Sequence, residues 1–247
     1  MSRVAAVLRG ALFYAAFYGG MLVVGSLFWI PAARSEATAR RVARGFFRVM
    51  VRLMGLLSGA PAALRGPVPD GPAVVAAKHQ SMLDVMIVYA TLPSPRFVMK
   101  KELATAPIFG WYARRVGCVA VDRSGGKEAR DAMVAALTAG GAEGQLVIYP
   151  QGTRVAAGMR APYRAGVHAL YAETGLPCVP AAVNTGAILP RGVALHRGRA
   201  VVEFLRPIEP GLERGPFMAI LERELERASD ALLEETRVGA ASDSPAR

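Results

Sequence analysis

From Ala11 to Ile30 the chain carries no charged side chain. As a helix this run would be about 30 Å long, the thickness of a bilayer's hydrocarbon core. Any fold for the chain must give that apolar rod lipid or a deep core to lie in. Arg3 and Arg9 precede it, a start that also suits a cleaved signal peptide. The run is long for a signal core, however, and Pro31-Ala32-Ala33 is a poor small-x-small cleavage site. A retained anchor is therefore expected. Composition agrees, with 53% apolar residues and a mean hydropathy of +0.29, more apolar than an ordinary soluble domain.

The next segment, Ser35 to about Ser58, has an amphipathic pattern. Arg40, Arg44, Arg48 and Arg52 recur every fourth residue, with bulky apolar groups such as Phe46, Phe47, Met50 and Met54 between them. Such a helix suits the membrane interface, and the rival is a surface helix on a soluble core. Beside a lipid-length run the first reading is preferred. Residues 1–58 are thus expected to form an N-terminal hydrophobic helical pair that anchors the chain to the membrane. Basic residues are denser after the apolar run than before it, which places the following domain on the cytoplasmic face.

Residues 59–72 read as a Pro- and Gly-rich linker, 73–237 as a catalytic domain, and 238–247 as a flexible tail. Within the domain, short apolar runs at Ala73–Ala77, Arg96–Met99, Cys118–Val121, Leu146–Tyr149, Val179–Val183 and Ala200–Leu205 alternate with helix-period stretches. Those stretches are Met82–Thr91, Glu102–Val116, Lys127–Ala139, Ala165–Thr174 and Pro216–Glu235. The alternation predicts an α/β fold, a mostly parallel sheet flanked by helices.

The stretch Lys78-His79-Gln80-Ser81-Met82-Leu83-Asp84 lies where an apolar strand ends and a helix begins. On one continuous helix His79 and Asp84 would point about 140° apart, so His79 must sit in the turn with Asp84 reaching back. A neutral imidazole can take a hydroxyl proton near neutral pH. A carboxylate on its other nitrogen would fix the tautomer and stabilise the imidazolium. Ser81 and Asp84 also spell a capping box, Ser-x-x-Asp, which would explain both without chemistry. At this point either reading stands.

A second strand end leads into Tyr149-Pro150-Gln151-Gly152-Thr153-Arg154. Gly152 frees the backbone for close approach, and Arg154 offers a planar fork of donors to a phosphate. Arg123 follows Cys118–Val121, and Lys100 follows Arg96–Met99. In a parallel sheet these ends share one rim with His79, so a base would be ringed by cations.

In these motifs the chain resembles the 1-acyl-glycerol-3-phosphate (lysophosphatidate) acyltransferases, over roughly Ala73 to Asn184. His79 and Asp84 match that family's His-x4-Asp motif. Lys100-Lys101-Glu102-Leu103 and Gly117 to Arg123 look like its next segments, Tyr149 to Arg154 is similar to its Phe-Pro-Glu-Gly-Thr-Arg motif, and Val179-Pro180 looks like its fourth. The resemblance implies that His79 is the general base on the sn-2 hydroxyl and that Asp84 orients it. It implies that Lys100, Arg123 and Arg154 hold the acceptor phosphate, while Gln151, Gly152 and Thr153 shape the pocket. It implies acyl-CoA or acyl-carrier protein as co-substrate, with no resident cofactor, and a lysophospholipid acceptor among membrane lipids. Gln151 stands where the family usually has Glu, which leaves room for another lysolipid, such as a lyso-ornithine lipid.

Other classes fit less well. The excess of 30 Lys and Arg over 19 Asp and Glu, a formal charge of +11, would attract nucleic acid. Aromatic platforms interleaved with the basic residues are missing, though, and an uncharged lipid-length run fits such a protein badly. A lipid-cleaving serine hydrolase would need a Gly-x-Ser-x-Gly elbow, which the chain lacks. His79, His168 and His196, with Cys118 and Cys178, give no metal-ligand spacing, so no metal is expected and both cysteines read as reduced core thiols.

Overall fold

Residues 3–122, 125–139 and 143–242 are described by a computed structural model. The chain runs through α1 (Arg3–Leu27), α2 (Trp29–Arg34), α3 (Glu36–Ser58), β1 (Ala63–Arg65), β2 (Ala73–Ala77), α4 (Met82–Thr91) and β3 (Pro95–Lys100). A 3-10 turn at Lys101–Thr105 leads to α5 (Phe109–Arg115), β4 (Val119–Val121), α6 (Gly126–Thr138), β5 (Gln145–Ile148) and α7 (Gly166–Thr174). The last elements are β6 (Cys178–Val183), α8 (Thr185–Ile188), β7 (Val201–Phe204) and α9 (Arg214–Ser242). The strands form one seven-stranded sheet in the order β1-β7-β6-β2-β5-β3-β4, parallel throughout except where β6 meets β7. The expected α/β class and mostly parallel sheet are both present.

Strand periodicity sorts the side chains cleanly. Along β2, Ala73, Val75 and Ala77 join a core cluster with α1, α3 and α4, whereas Val74 and Ala76 join a second cluster with α6, α7 and α9. Val147 of β5 points to the first side, and Leu146 and Ile148 to the second. Both faces of β2 are buried, so its sequence reads as the unbroken apolar run Ala-Val-Val-Ala-Ala.

Three boundaries differ from the sequence reading. Ala63–Arg65, inside the expected connector, is an edge strand parallel to β7; a three-residue strand is too short to show a period. The expected helix Glu102–Val116 is broken, because Pro107 cannot continue it and Ile108 turns the chain at φ 59. At the C-terminus, α9 continues to Ser242, past the point where fraying was expected.

The N-terminal helices lie on the sheet's first face. Leu195 N donates to Ala6 O at 2.9 Å, and the Arg9 guanidinium donates to Leu195 O at 3.1 and 3.2 Å. Gly10 meets the same loop so closely that a Cβ would sit 1.4 Å from Val193 O. At the other end Tyr112 Oη donates to Gly25 O at 3.2 Å. Helix α1 is therefore held at both ends, burying Ala6, Gly10, Phe13, Phe17 and Gly25 and exposing Val4, Leu8, Leu12, Tyr18, Leu22 and Leu27. It is the one helix among the described residues long and apolar enough to cross a membrane. Trp29 and Ile30 of α2 extend the same exposed apolar strip.

The arginine stripe of α3 has a different use from the one expected. Arg40 donates to Ser94 Oγ at 2.7 Å, Arg44 to Leu92 O at 2.7 Å and to Pro93 O, and Arg48 to Ala90 O at 3.4 Å. Three of its four arginines thus satisfy carbonyl and hydroxyl groups where α4 ends, groups that a helix C-terminus leaves orphaned. The i, i+4 spacing reflects α3 lying along α4. Arg52 is exposed.

Candidate active site

His79 stands two residues beyond β2, and the alternation of that strand carries its ring to the first face. There Nδ1 lies 2.9 Å from Asp84 Oδ1, with the carboxylate fully buried and the imidazole 16% exposed. The other carboxylate oxygen, Oδ2, accepts from Gln80 N at 2.9 Å, Ser81 N at 2.7 Å and Thr185 Oγ1 at 3.2 Å. Ser81 Oγ accepts from Leu83 N, completing a capping box at the start of α4. The two readings left open by the sequence are therefore both true. Asp84 uses one oxygen to close the helix and the other to hold the imidazole. Its four partners compensate a buried charge that would otherwise be costly. An ionised carboxylate only accepts, so the Nδ1 proton belongs to His79 and the lone pair is on Nε2.

Tyr149, the first residue beyond β5, stacks on His79 with ring centroids 4.2 Å apart. Burial, and then the charge of Asp84, push its phenol well above the usual range, so it stays neutral beside the imidazole. Tyr149 opened a motif in the sequence but was not singled out as a site residue. The β2–β5 register, in which Ala76 pairs Ile148, sets Tyr149 level with Ala77 and so on the same face as His79, two residues further on. Thr185 and Leu189, whose carbonyl accepts from Ser81 Oγ at 2.6 Å, gave no sequence signal, because they reach Asp84 and Ser81 from a different part of the chain.

From His79 an apolar groove of about 1010 Å³, open mouth included, runs between the N-terminal helices and the sheet. Phe17, Phe46, Phe97, Met99, Ile108 and Cys118 line it, and Lys100 is at its edge. Burial pushes the Cys118 thiol up to about 11, so it is not a nucleophile near neutral pH. Both cysteines are free thiols, and no cluster of metal-ligating side chains occurs among the described residues.

The remaining predicted residues surround this centre unevenly. Val155 N donates to His79 O at 2.8 Å, so the Gly152–Arg154 loop rests directly on the histidine turn. The Arg154 side chain is exposed. Thr153 Oγ1 accepts from Arg191 at 3.4 Å, and Arg154 O also accepts from Arg191. Arg191 carries no motif of its own in the sequence. Lys100, exposed, pairs with Glu102 at 2.8 Å. Arg123 lies outside the described residues. Gly152 has φ +67, and the space a Cβ would need is filled by Arg164, 2.8 Å away. Its freedom thus lets a neighbouring arginine, rather than a ligand, approach. Gln151 is buried, with neither amide atom partnered.

Comparison with known proteins identifies relatives of the chain. The Acyltransferase family model matches residues 62–184. A 1-acyl-sn-glycerol-3-phosphate acyltransferase of Pseudomonas aeruginosa is 31% identical over 200 residues, covering 77% of this chain and 76% of its own. The human alpha form of that enzyme is 27% identical, over 70% of this chain and 62% of its own. The crystal structure of the 1-acyl-sn-glycerophosphate acyltransferase from Thermotoga maritima shares the fold, with a TM-score of 0.77 at 20% identity over 94% of this chain and 98% of that one. With a buried His-x4-Asp pair at the rim of a parallel sheet and a relative of that identity spanning most of its length, the chain belongs to the 1-acyl-sn-glycerol-3-phosphate acyltransferase family.

Proposed function

We propose that the chain transfers a fatty acyl group from a thioester, acyl-CoA or acyl-carrier protein, to the sn-2 hydroxyl of lysophosphatidate, giving phosphatidate. The observation that carries this reading is the His79–Asp84 contact at the mouth of an apolar groove. Nε2 of His79 takes the hydroxyl proton as the oxygen attacks the thioester carbonyl carbon. Asp84 stabilises the imidazolium that forms. As the tetrahedral intermediate collapses, the C–S bond breaks and the departing sulfur takes the proton back from Nε2. No side chain is acylated, because the acceptor is itself the alcohol.

The groove suits an acyl chain, since its lining is apolar and it reaches the base. Lys100, Arg123 and Arg154, with Gln151, Gly152 and Thr153 shaping the loop, would hold the acceptor's phosphate. The exposed strip of α1 and α2 favours a helix lying in one leaflet on the cytoplasmic face. A helix tied down at both ends brings the groove to lipid without crossing it.

The test is a transfer assay with labelled acyl donor and lysolipids differing at the headgroup. Lysophosphatidate should be the preferred acceptor, and Arg154→Ala should weaken it by about 2–5 kcal/mol if the charge pair is desolvated. Preference for a lyso-ornithine lipid, or equal loss toward a phosphate-free acceptor, would overturn the assignment.

A further inference from the structure

Lys78 immediately precedes His79, and the strand alternation sends the two side chains to opposite faces of the sheet. While His79 faces the groove, Lys78 is buried at 1% exposure on the α9 side. Its Nζ lies 2.5 Å from Glu226 Oε2 of α9, which is itself 4% exposed. Glu226 Oε1 accepts from Tyr163 Oη at 2.8 Å, and Arg160 adds a contact to Oε2 at 3.0 Å. Burial, and then the charge of Glu226, raise the Tyr163 phenol well above its usual range, so Tyr163 remains a donor. Arg160 and Tyr163 belong to the chain that continues from Gly152-Thr153-Arg154.

One carboxylate therefore ties together two things that acyl transfer must keep in register. One is the strand end that carries the base. The other is the loop that carries the residues proposed to hold the acceptor. A buried Lys–Glu pair is a poor source of stability, because desolvation offsets much of its attraction. Its position behind the catalytic turn is better explained by geometry.

We propose that Glu226 is a positioning residue, which fixes the distance between His79 and the acceptor loop through Lys78 on one side and Tyr163 on the other. It touches no substrate. The claim rests on the acyl-transfer reading above and deepens it.

Two variants of the full-length chain in detergent test the idea. Measured for each are kcat, KM for lysophosphatidate, KM for oleoyl-CoA, and the thermal midpoint. Tyr163→Phe removes the loop's hydrogen bond to Glu226 and leaves only the solvent-exposed Arg160 contact. It should raise the acceptor KM roughly tenfold, the scale of one hydrogen bond to a charged group, and leave the oleoyl-CoA KM unchanged. The double variant Lys78→Met with Glu226→Leu replaces the buried pair by apolar groups, an exchange that proteins often tolerate. It should keep the parent's thermal midpoint yet retain the acceptor defect. A parent-like acceptor KM in Tyr163→Phe or in a folded double variant, or equal loss toward both substrates, overturns the proposal. Should the double variant unfold, Tyr163→Phe decides alone. If the parent ignores lysophosphatidate but acylates another lysolipid, the reaction assignment falls, and the positioning test is run on that acceptor.

Discussion

The two faces of the sheet are built to different ends. Against the first lie α1 to α5, with many aromatic rings and a groove left open beside His79. Against the second lie α6, α7 and α9, closed over Phe217, Leu221, Leu225 and Leu232 at 0–1% exposure. Tyr171 and Phe217 stack there with centroids 4.3 Å apart. Empty space forfeits dispersion contacts and stability, so the first face gives up packing to admit a chain and the second supplies what is lost. Charge follows the same division. The first face buries a carboxylate against His79, and the second buries the Lys78–Glu226 ion pair behind it.

The comparison breaks most visibly at His79. His79→Ala should lower the transfer rate by about 10²–10⁴-fold, the usual contribution of a general base, with the unfolding midpoint and membrane association unchanged. Substantial residual transfer would remove His79 from the mechanism, and a large fall in midpoint would mean that this face carries stability too.

Next in size is a matched pair of truncations. Phe217→Ala, on the closed face, should cost about 3–5 kcal/mol in denaturant unfolding while sparing the groove. Phe46→Ala, half-buried beside the groove, should cost less than about 2 kcal/mol and alter which acyl-chain lengths are used. Equal destabilisation by the two would erase the distinction between the faces.

The smallest effect concerns Cys118. Its folded-state pKa is raised by burial from 9.0 to about 11, so the unfolded chain releases that proton first. The stability it contributes is present below about pH 9 and fades as pH rises toward 11, by at most about 3 kcal/mol. Cys118→Ala should flatten that part of an unfolding-versus-pH curve. An unchanged slope would show that the thiol is hydrated in the groove.

What the sequence revealed depended on whether the cause was local. Strand β2 and helix α4 match the expected Ala73–Ala77 and Met82–Thr91, because an unbroken apolar run and a serine cap are both written in adjacent residues. His79 and Asp84 were legible for the same reason, and their contact is within hydrogen-bond distance. The role of the α3 arginines was not, since their partners lie 42 to 54 residues further along the chain. Thr185 meets Asp84 across 101 residues, and Glu226 meets Lys78 across 148. Nothing in a stretch of sequence marks such a meeting. Arg191 was obscured differently, because one arginine among several in a basic loop looks like solvated charge until the fold sets it against Thr153.

The double duty of Asp84 bears on why histidine and aspartate stand at that interval at all. A group that at once finishes the first turn of a helix and steadies a ring outside it has no freedom to slide along the chain. One step in either direction would swing it about 100° around the helix axis, and both tasks would fail together. The gap between the two residues is thus set by helical pitch, and chance substitution can explore the side chains around it far more readily than its length.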